Sequence, residues 1–339
     1  MYIVRLQTLS NGDKDRALEW QVCNYKSSGD HVVVGLLTAS VNELLSGKKV
    51  FDLKMGTQGK SEKVGEFRVV HCVEEKAATF LEYLRAGIQL NLHISVDFTM
   101  SNGNVSSPES LHYRGSPGSS YLNDYERAII AIGKILLEYD SDQLVPLYGF
   151  GGKLPSGSVS HCWPLNGDEA NPSCHGLKDL LSSYRLALDN VDLAAPTNFT
   201  PSINRLIGIA LREQEAAFHN RKKAYHVLLM ITDGVITDMD STIRAIIRAS
   251  KLPISIIIVG VGNADFANMN VLDGDGEALN ADGEIAVRDV VQFVPMRQFM
   301  THSGDPAEVG PRLAKEVLAE LPQQLVDYYQ TNNIQPQHL

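Results

Sequence analysis

Four runs of apolar residues between positions 89 and 262 most constrain the fold, because they are continuous and do not alternate with polar residues. The runs are QLNLHISVDF, LVPLYGF, YHVLLMITD and ISIIIVGVG. A strand exposed on one face alternates, so continuous runs predict strands covered on both faces, as in a parallel sheet between helices. Amphipathic segments of helical period separate or follow the runs, at 123–140, 176–190, 201–218, 240–252 and 307–330. This order predicts an α/β fold with a doubly wound, mostly parallel sheet.

The first part of the chain has a different pattern. It contains the short runs YIVRLQTL, ALEWQVCNY, HVVVGLLTA and GEFRVVHCV, divided by turn signals such as SNGDKD and KSSGD. Short strands with frequent turns predict an antiparallel β-sandwich. We therefore predict a partial sandwich at 1–76, a linker at 77–87, the α/β domain at 88–330 and a tail at 331–339.

The chain of 339 residues carries a formal net charge of -10, which is unevenly distributed. Residues 1–87 contain 12 Lys and Arg against 11 Asp and Glu, whereas the remainder contains 18 against 29. Because phosphate binding depends on Lys and Arg, the acidic main part argues against a nucleic-acid partner. Five lysines gather in the first part, and they form either a solvated loop or a surface for anionic membranes. They are Lys48, Lys49, Lys54, Lys60 and Lys63.

Nothing in the sequence resembles a membrane span or a secretory signal. No apolar run reaches the roughly 18 residues that cross a bilayer, and the start MYIVRLQTLSNGDKDR lacks the parts of a signal peptide. We therefore expect a cytoplasmic protein. Its cysteines, Cys23, Cys72, Cys162 and Cys174, have no paired spacing, which indicates reduced thiols rather than a disulfide framework.

Two of the predicted strands end in an aspartate, Asp97 in HISVDFTMS and Asp233 in LLMITDG. In a doubly wound sheet, ligands bind at the carboxyl ends of the strands, so these carboxylates are expected at one edge. Thr99 and Ser101 follow Asp97 at alternate positions, and the loop APTNFTP offers a further hydroxyl, Thr197. The alternative is a turn that these polar residues cap without any ion.

Few carboxylates combined with several hydroxyls suit a hard divalent cation. Mg²⁺ takes six oxygen ligands and readily keeps waters among them, so such a site leaves the ion partly open and electrophilic. An ion of this kind accepts an acidic group from a partner. We expect Mg²⁺ or Mn²⁺ here, with Ca²⁺ as a further option.

The same residues resemble a known motif. The segment from Asp97 to Ser101, together with Thr197 and Asp233, resembles the metal-ion-dependent adhesion site of a von Willebrand factor A domain, with Thr in place of the first Ser. Longer stretches between residues 88 and 328 resemble the copine family: DFTMSNG, SSPESLHY, YDSDQLVPLYGFGG, PTNFTPSIN, LLMITDGVITDM and RDVVQFVPMR. The resemblance implies that Asp97, Thr99 and Ser101 coordinate the ion directly, and that Thr197 and Asp233 do so directly or through water.

Residues 1–75 resemble the second half of the second copine C2 domain, through LQTLSNGDKDRALEWQVCNYKSSGDHVVVG and the helical turn SVNELLSG. The first C2 domain and the opening strands of the second have no counterpart, so we expect a truncated member or an incomplete gene model. The family's calcium-binding aspartates fall on Asn24, Lys26 and Val32, and we therefore expect this C2 remnant not to bind calcium as its relatives do. Membrane contact would then depend on the five lysines.

The resemblance implies an adaptor rather than an enzyme. Copines bind phospholipid membranes in response to calcium, so we expect a cytoplasmic protein with peripheral membrane association, whose A domain presents its cation to acidic protein partners. Two alternatives remain. One is a ubiquitin-ligase-related A-domain protein that lacks its RING, and the other is a hydrolase in which Asp97 and Asp233 hold an ion that activates water.

Overall fold

The structure, a computed structural model, describes residues 4, 6–27, 29–57, 60–116, 118–220, 223–274, 278–299 and 306–338. The chain divides into two compact units, Met1–Ala77 and Ala78–Leu339. Among the helices of the described ranges, none combines the length and the apolar character that crossing a membrane requires.

The first unit contains a four-stranded antiparallel sheet of order β1-β2-β3-β4. Its elements are α1 (Leu6–Ser10), β1 (Leu18–Asn24), β2 (Val32–Ala39), α2 (Val41–Leu45), β3 (Val50–Thr57) and β4 (Lys60–Arg68). Leu37, Ala39, Phe51 and Leu53 form its small core. The helical turn α2 begins with a capping box between Ser40 and Glu43, which satisfies the first free backbone N–H groups of the helix.

The described part of this unit forms one antiparallel sheet, as expected of the antiparallel strands of the predicted partial sandwich. Two details differ from the prediction. The run YIVRLQTL was expected to be a strand, but its second half is α1, because Asn11 and Gly12 adopt positive φ angles and end a helix there. Strand β3 was not predicted, since its lysines suggested a loop, yet Phe51 is buried while Asp52 and Lys54 are exposed.

The second unit contains the parallel sheet and the helices that cover it. Its helices are α3 (Phe80–Arg85), α4 (Asp124–Leu136), α5 (Gly176–Asn190), α6 (Thr200–Asn220), α7 (Met239–Ala249), α8 (Ala267–Asp273), α9 (Pro306–Val317) and α10 (Leu321–Thr331). Its strands are β5 (Gln89–Asp97), β6 (Leu144–Phe150), β7 (Gly152–Lys153), β8 (Val159–Ser160), β9 (Trp163–Pro164), β10 (Ser173–His175), β11 (Asp192–Leu193), β12 (Ala224–Thr232), β13 (Ile254–Gly260), β14 (Asn280–Ala281), β15 (Glu284–Ile285) and β16 (Val291–Pro295).

The main sheet has the order β10-β6-β5-β12-β13-β16, and β9 also pairs with β6. The five strands from β6 to β16 are parallel to their neighbours, while β9 and β10 run antiparallel at one edge. From β5 the chain moves outward to β6 and then returns to the other side at β12. The strand order therefore reverses between β5 and β12, which is the switch point where doubly wound sheets bind ligands.

Two cores lie on opposite faces of this sheet, which confirms the predicted α/β fold. In β12, Leu229 and Ile231 contribute to one core and Leu228 and Met230 to the other, because successive side chains of a strand point to opposite faces. Ser95 of β5, which is polar, is also buried in the sheet.

Residues 78–87 and Ile334 belong to the second unit, whereas the sequence predicted a linker at 77–87 and a tail at 331–339. Thr79 and Glu82 form a capping box that starts α3. Tyr83 is fully buried, and its hydroxyl donates to the carbonyl of Ile334 at 2.9 Å. The helix expected at 307–330 is two helices, α9 and α10, with Pro322 in the first turn of the second, where its missing N–H has no cost.

Candidate metal centre

Asp97 occupies the last position of β5, and its carboxylate is fully buried. One oxygen, Oδ1, accepts from the backbone N–H of Thr99 at 2.8 Å and from its hydroxyl at 2.5 Å. The other oxygen, Oδ2, accepts from the hydroxyl of Thr232 at 2.6 Å. Thr232 ends β12 directly beside β5, so the switch point itself provides this donor.

A chain of side-chain oxygens connects Asp97 to the neighbouring strand. The hydroxyl of Thr99 lies 3.0 Å from that of Ser101, and Ser101 donates to Oδ1 of Asp233 at 2.9 Å. Both hydroxyls belong to the turn that leaves β5, whereas Asp233 follows β12. The structure therefore brings together four of the five residues that the sequence predicted as metal ligands.

Both carboxyl groups have pKa values above the ordinary range. Burial is the main cause for Asp97, and the hydrogen bonds from Thr232 and Thr99 oppose it only in part. Burial, followed by the negative charge of Asp97, raises the pKa of Asp233 to about 7. Two buried acids this close favour a shared proton when no cation is present.

The fifth predicted ligand, Thr197, lies in a separate loop. It lines the same cavity of about 610 Å³ as Thr99, Ser101 and Asp233. Its carbonyl accepts from the backbone N–H of Thr237 at 2.9 Å and from the Thr237 hydroxyl at 2.7 Å. Within the described residues, no hydrogen bond joins the Thr197 side chain to the other four.

Several contacts fix the Thr197 loop against the rest of the site. The backbone N–H of Met100 donates to the carbonyl of Ala194 at 2.7 Å. The two carboxylate oxygens of Asp238 accept from the backbone N–H groups of Phe199 and Thr200, each at 3.0 Å, at the start of α6. The loops after β5, β11 and β12 are thus held together by backbone hydrogen bonds.

Gly151 allows Thr99 to take its position. Its φ is +74°, and a Cβ atom built there would lie 2.2 Å from Cγ2 of Thr99. Such a distance is far below any van der Waals contact, so residue 151 must be glycine while Thr99 keeps its place.

The turn that carries the two hydroxyls is held from below by Asn102, which is almost completely buried. Its amide nitrogen donates to the carbonyl of Thr99 at 3.1 Å, and its amide oxygen accepts from the hydroxyl of Tyr125 at 2.6 Å. Sequence reasoning did not assign a role to Asn102, Tyr125, Thr232 or Gly151. The position of Thr232 at the end of a strand that precedes a site residue was the available signal.

The arrangement of oxygens fits a small divalent cation. Each hydroxyl has a single proton, and Thr99 and Ser101 direct theirs to Asp97 and Asp233. Their oxygens lie 3.0 Å apart, where either hydroxyl can donate to the other, and each oxygen has lone pairs that a cation can use. Neighbouring oxygens around octahedral Mg²⁺, at 2.0–2.1 Å from the ion, are about 2.9 Å apart. The contacts of 2.9 and 3.0 Å match this spacing.

The described residues contain no cluster of three or more His, Cys, Asp or Glu side chains that could hold a metal ion. Any ion at the switch point therefore depends on hydroxyl oxygens as well as on Asp97 and Asp233. Oxygen donors of this kind suit Mg²⁺, Mn²⁺ or Ca²⁺.

The predicted lysine surface is less positive than its sequence suggests. Lys48, Lys49, Lys54 and Lys63 are exposed, while the side chain of Lys60 lies outside what the structure describes. Lys63 forms ion pairs with Asp52 at 2.7 Å and with Glu66 at 2.9 Å, which neutralise part of the cluster.

The model of the copine family matches residues 110–337. This chain belongs to the copine family. The matched part of this copine includes Thr197 and Asp233, and it begins after the turn that carries Asp97, Thr99 and Ser101.

Solved structures resemble this copine at low identity. They include the manganese-loaded TRAP protein of Plasmodium vivax, at 12% identity over 66% of this chain and 73% of that chain, with a TM-score of 0.39. The N-terminal domain of TFIIH p34 is 13% identical over 68% of this chain and 98% of its own, with a TM-score of 0.34. The proximal thread matrix protein 1 of the mussel byssus, with a zinc-occupied MIDAS motif, is 11% identical over 71% of this chain and 46% of that chain, with a TM-score of 0.31. Likenesses of this size do not indicate which ion or partner this copine binds.

Proposed function

We propose that residues 88–330 form a von Willebrand factor A-type domain that binds Mg²⁺ or Mn²⁺ and presents the ion to acidic groups of protein partners. The hydroxyl chain between two buried carboxylates, from Asp97 through Thr99 and Ser101 to Asp233, carries this proposal. Two carboxylates balance the charge of a divalent ion, and neutral hydroxyls complete the set without adding charge. The ion then keeps waters that a partner's carboxylate replaces.

The lining of the cavity supports binding rather than catalysis. The residues that form it, within the described part of the chain, are Thr99, Met100, Ser101, Leu111, Ala194, Ala195, Pro196, Thr197, Asp233, Gly234, Val235, Thr237, Asn263 and Ala264. This set contains no His, Cys, Lys, Arg or Glu. A hydrolase that used the ion to activate water would need a general base or an anion clamp beside it. We therefore propose a non-enzymatic adaptor.

Anionic membranes are the second partner that we propose. Lys48, Lys49 and Lys54 are exposed on the antiparallel sheet unit, and each basic residue near an anionic surface contributes about 1 kcal/mol at most. We propose weak, salt-sensitive, peripheral binding on the cytoplasmic side, without a calcium ion held by residues 1–76. Co-sedimentation with phosphatidylserine vesicles tests this, and charge reversal at Lys48 and Lys49 should abolish it. Equal sedimentation with neutral vesicles would contradict it.

The metal site is tested by thermal unfolding of the full chain with and without millimolar Mg²⁺, Mn²⁺ or Ca²⁺. An ion that binds only the folded state stabilises it by about 2.7 kcal/mol at one hundred times its Kd. We expect an increase in Tm for wild type and none for Asp97→Ala or Asp233→Asn. Asp233→Asn should fold well, because burial already favours an uncharged group at this position.

Asp192→Asn is the matched control, since it makes the same change at an exposed carboxylate on β11. It should leave the metal effect intact. If Asp233→Asn and wild type respond equally to the ions, the cluster is a capped turn and the proposal is wrong. Water-proton relaxation with Mn²⁺ then tests for open ligand positions, because an added carboxylate should displace bound waters.

A further inference from the structure

Two large apolar side chains border the candidate metal centre and are exposed to solvent. Met100 is 64% exposed and Val235 is 52% exposed. Met100 stands between Thr99 and Ser101 in the turn after β5, and Val235 follows Asp233 by two residues. Both line the same cavity as the hydroxyls and Asp233. Exposed apolar residues are common singly, but two that flank one polar cluster indicate a contact surface.

The backbone at this border is well fixed. The N–H of Met100 donates to Ala194 at 2.7 Å, and Leu111 donates its N–H to Asn102 at 3.0 Å. Leu111 is itself confined, because a Cβ atom at Gly262 would lie 2.9 Å from Cδ1 of Leu111. The apolar border is therefore built on ordered backbone, with the adaptable Met100 side chain as its most exposed part.

The cavity lining offers few charged groups that could distinguish one acidic partner from another. Asp233 is the one charged residue among those that line it in the described part of the chain. A partner's carboxylate would thus be attracted by the cation alone, which any exposed Asp or Glu satisfies. Discrimination among acidic partners would then come from the neighbours of that acid, and Met100 and Val235 are exposed apolar residues at this cavity.

We propose that Met100 and Val235 form an apolar clamp beside the cation, and that this surface accepts a peptide segment in which Asp or Glu is adjacent to a large apolar residue. This proposal rests on the metal-dependent binding proposed above. Consecutive Cα atoms are 3.8 Å apart, so the residues next to a metal-bound acid lie over the border of the site. Burial of an apolar side chain there adds affinity that a polar neighbour does not supply.

The experiment compares three probes in the presence of millimolar Mn²⁺. They are acetyl-Leu-Glu-Leu-amide, acetyl-Ser-Glu-Ser-amide and acetyl-Leu-Gln-Leu-amide, and their binding to the full chain is followed by displacement of Mn²⁺-bound water. We expect the first peptide to bind about tenfold more tightly than the second, as burial of one Leu side chain allows. The third should not bind, because it lacks the carboxylate.

The variants Met100→Gln and Val235→Thr keep the size of each side chain while making it polar. Both residues are exposed, so the variants should fold and bind Mn²⁺ as wild type does. We expect them to lower the affinity for the Leu-Glu-Leu peptide about three- to tenfold and to leave the Ser-Glu-Ser peptide unchanged. Leu186→Gln, on α5 and 56% exposed, is the control that should change neither.

Each outcome decides the proposal. Equal affinity for the two Glu peptides, or an equal loss for both in Met100→Gln, overturns the apolar clamp and leaves metal-dependent carboxylate binding intact. Absence of binding by any peptide at millimolar concentration also overturns the clamp. Binding of all three peptides without Mn²⁺, followed by isothermal titration calorimetry, would overturn both the clamp and the proposed metal function.

Discussion

Substitution of Gly151 by Ala tests how closely the fold confines the candidate metal centre. The added Cβ would lie 2.2 Å from Cγ2 of Thr99 and 3.5 Å from the carbonyl oxygen of Pro196. Thr99 would have to move by more than about 1 Å to reach the normal carbon contact of 3.5–4.0 Å. Its hydroxyl is already tied to Asp97 at 2.5 Å and to Ser101 at 3.0 Å, so this movement disturbs the whole oxygen chain.

The expected loss in the free energy of unfolding has two parts. A residue other than glycine at positive φ destabilises the folded state by about 1–2 kcal/mol. Overpacking against Thr99 adds about 1–3 kcal/mol. Gly157→Ala separates these parts, because Gly157 also has a positive φ, +88°, but a Cβ there meets no atom within 4 Å. We expect a loss of about 1–2 kcal/mol for Gly157→Ala and about 2–5 kcal/mol for Gly151→Ala.

Urea unfolding gives the two stability losses, and Mn²⁺ titration of the folded variants gives the effect on the site. Gly151→Ala should weaken Mn²⁺ binding about 10- to 100-fold, as changes behind metal ligands commonly do, while Gly157→Ala should not. If both variants lose the same stability and bind Mn²⁺ as wild type does, then contact with Gly151 does not position Thr99.

Three further predictions concern the surroundings of the site and the core. Tyr125→Phe leaves the amide oxygen of Asn102 without its donor and should cost about 1–3 kcal/mol in urea unfolding. Burial lowers the pKa of His226 to about 4. The free energy of unfolding should therefore fall by about 3 kcal/mol as the pH falls from 6.5 through 4, and it should fall less in His226→Gln. Because the pKa of Asp233 is raised to about 7, a proton should compete with Mn²⁺ for this carboxylate. The increase in Tm that Mn²⁺ causes should therefore become smaller from pH 8 to pH 5.

The sequence was most informative where local pattern and tertiary environment agree. The four continuous apolar runs became β5, β6, β12 and β13, because strands covered on both faces need apolar residues throughout. The strand β16 was not predicted. Its run VQFVP is short, and its place at the end of the sheet depends on pairing with β13, which no local pattern reveals.

The oxygen donors were predictable from their positions at strand ends, but the residues that position them were not. Asp97 and Asp233 carry charges that are unusual at the end of a buried strand. Gly151, by contrast, is one glycine among 27 in the chain, and its role depends on a contact with Thr99, 52 residues away. Asn102 likewise stood in the quoted motif, but its bond to Tyr125 exists only after α4 has packed beside the turn.

The hydroxyls of Thr99 and Ser101 explain how one cluster suits both a proton and a cation. A hydroxyl has one proton to donate and two lone pairs to offer, so each can donate to a carboxylate while its lone pairs face an ion. Without the ion, one hydroxyl can donate to the other at 3.0 Å, and the raised pKa of Asp233 favours a protonated carboxyl beside Ser101. Binding of a cation would replace that proton while the carboxylates keep their hydrogen bonds. We therefore expect the affinity of the proposed site for a cation to fall as the pH falls.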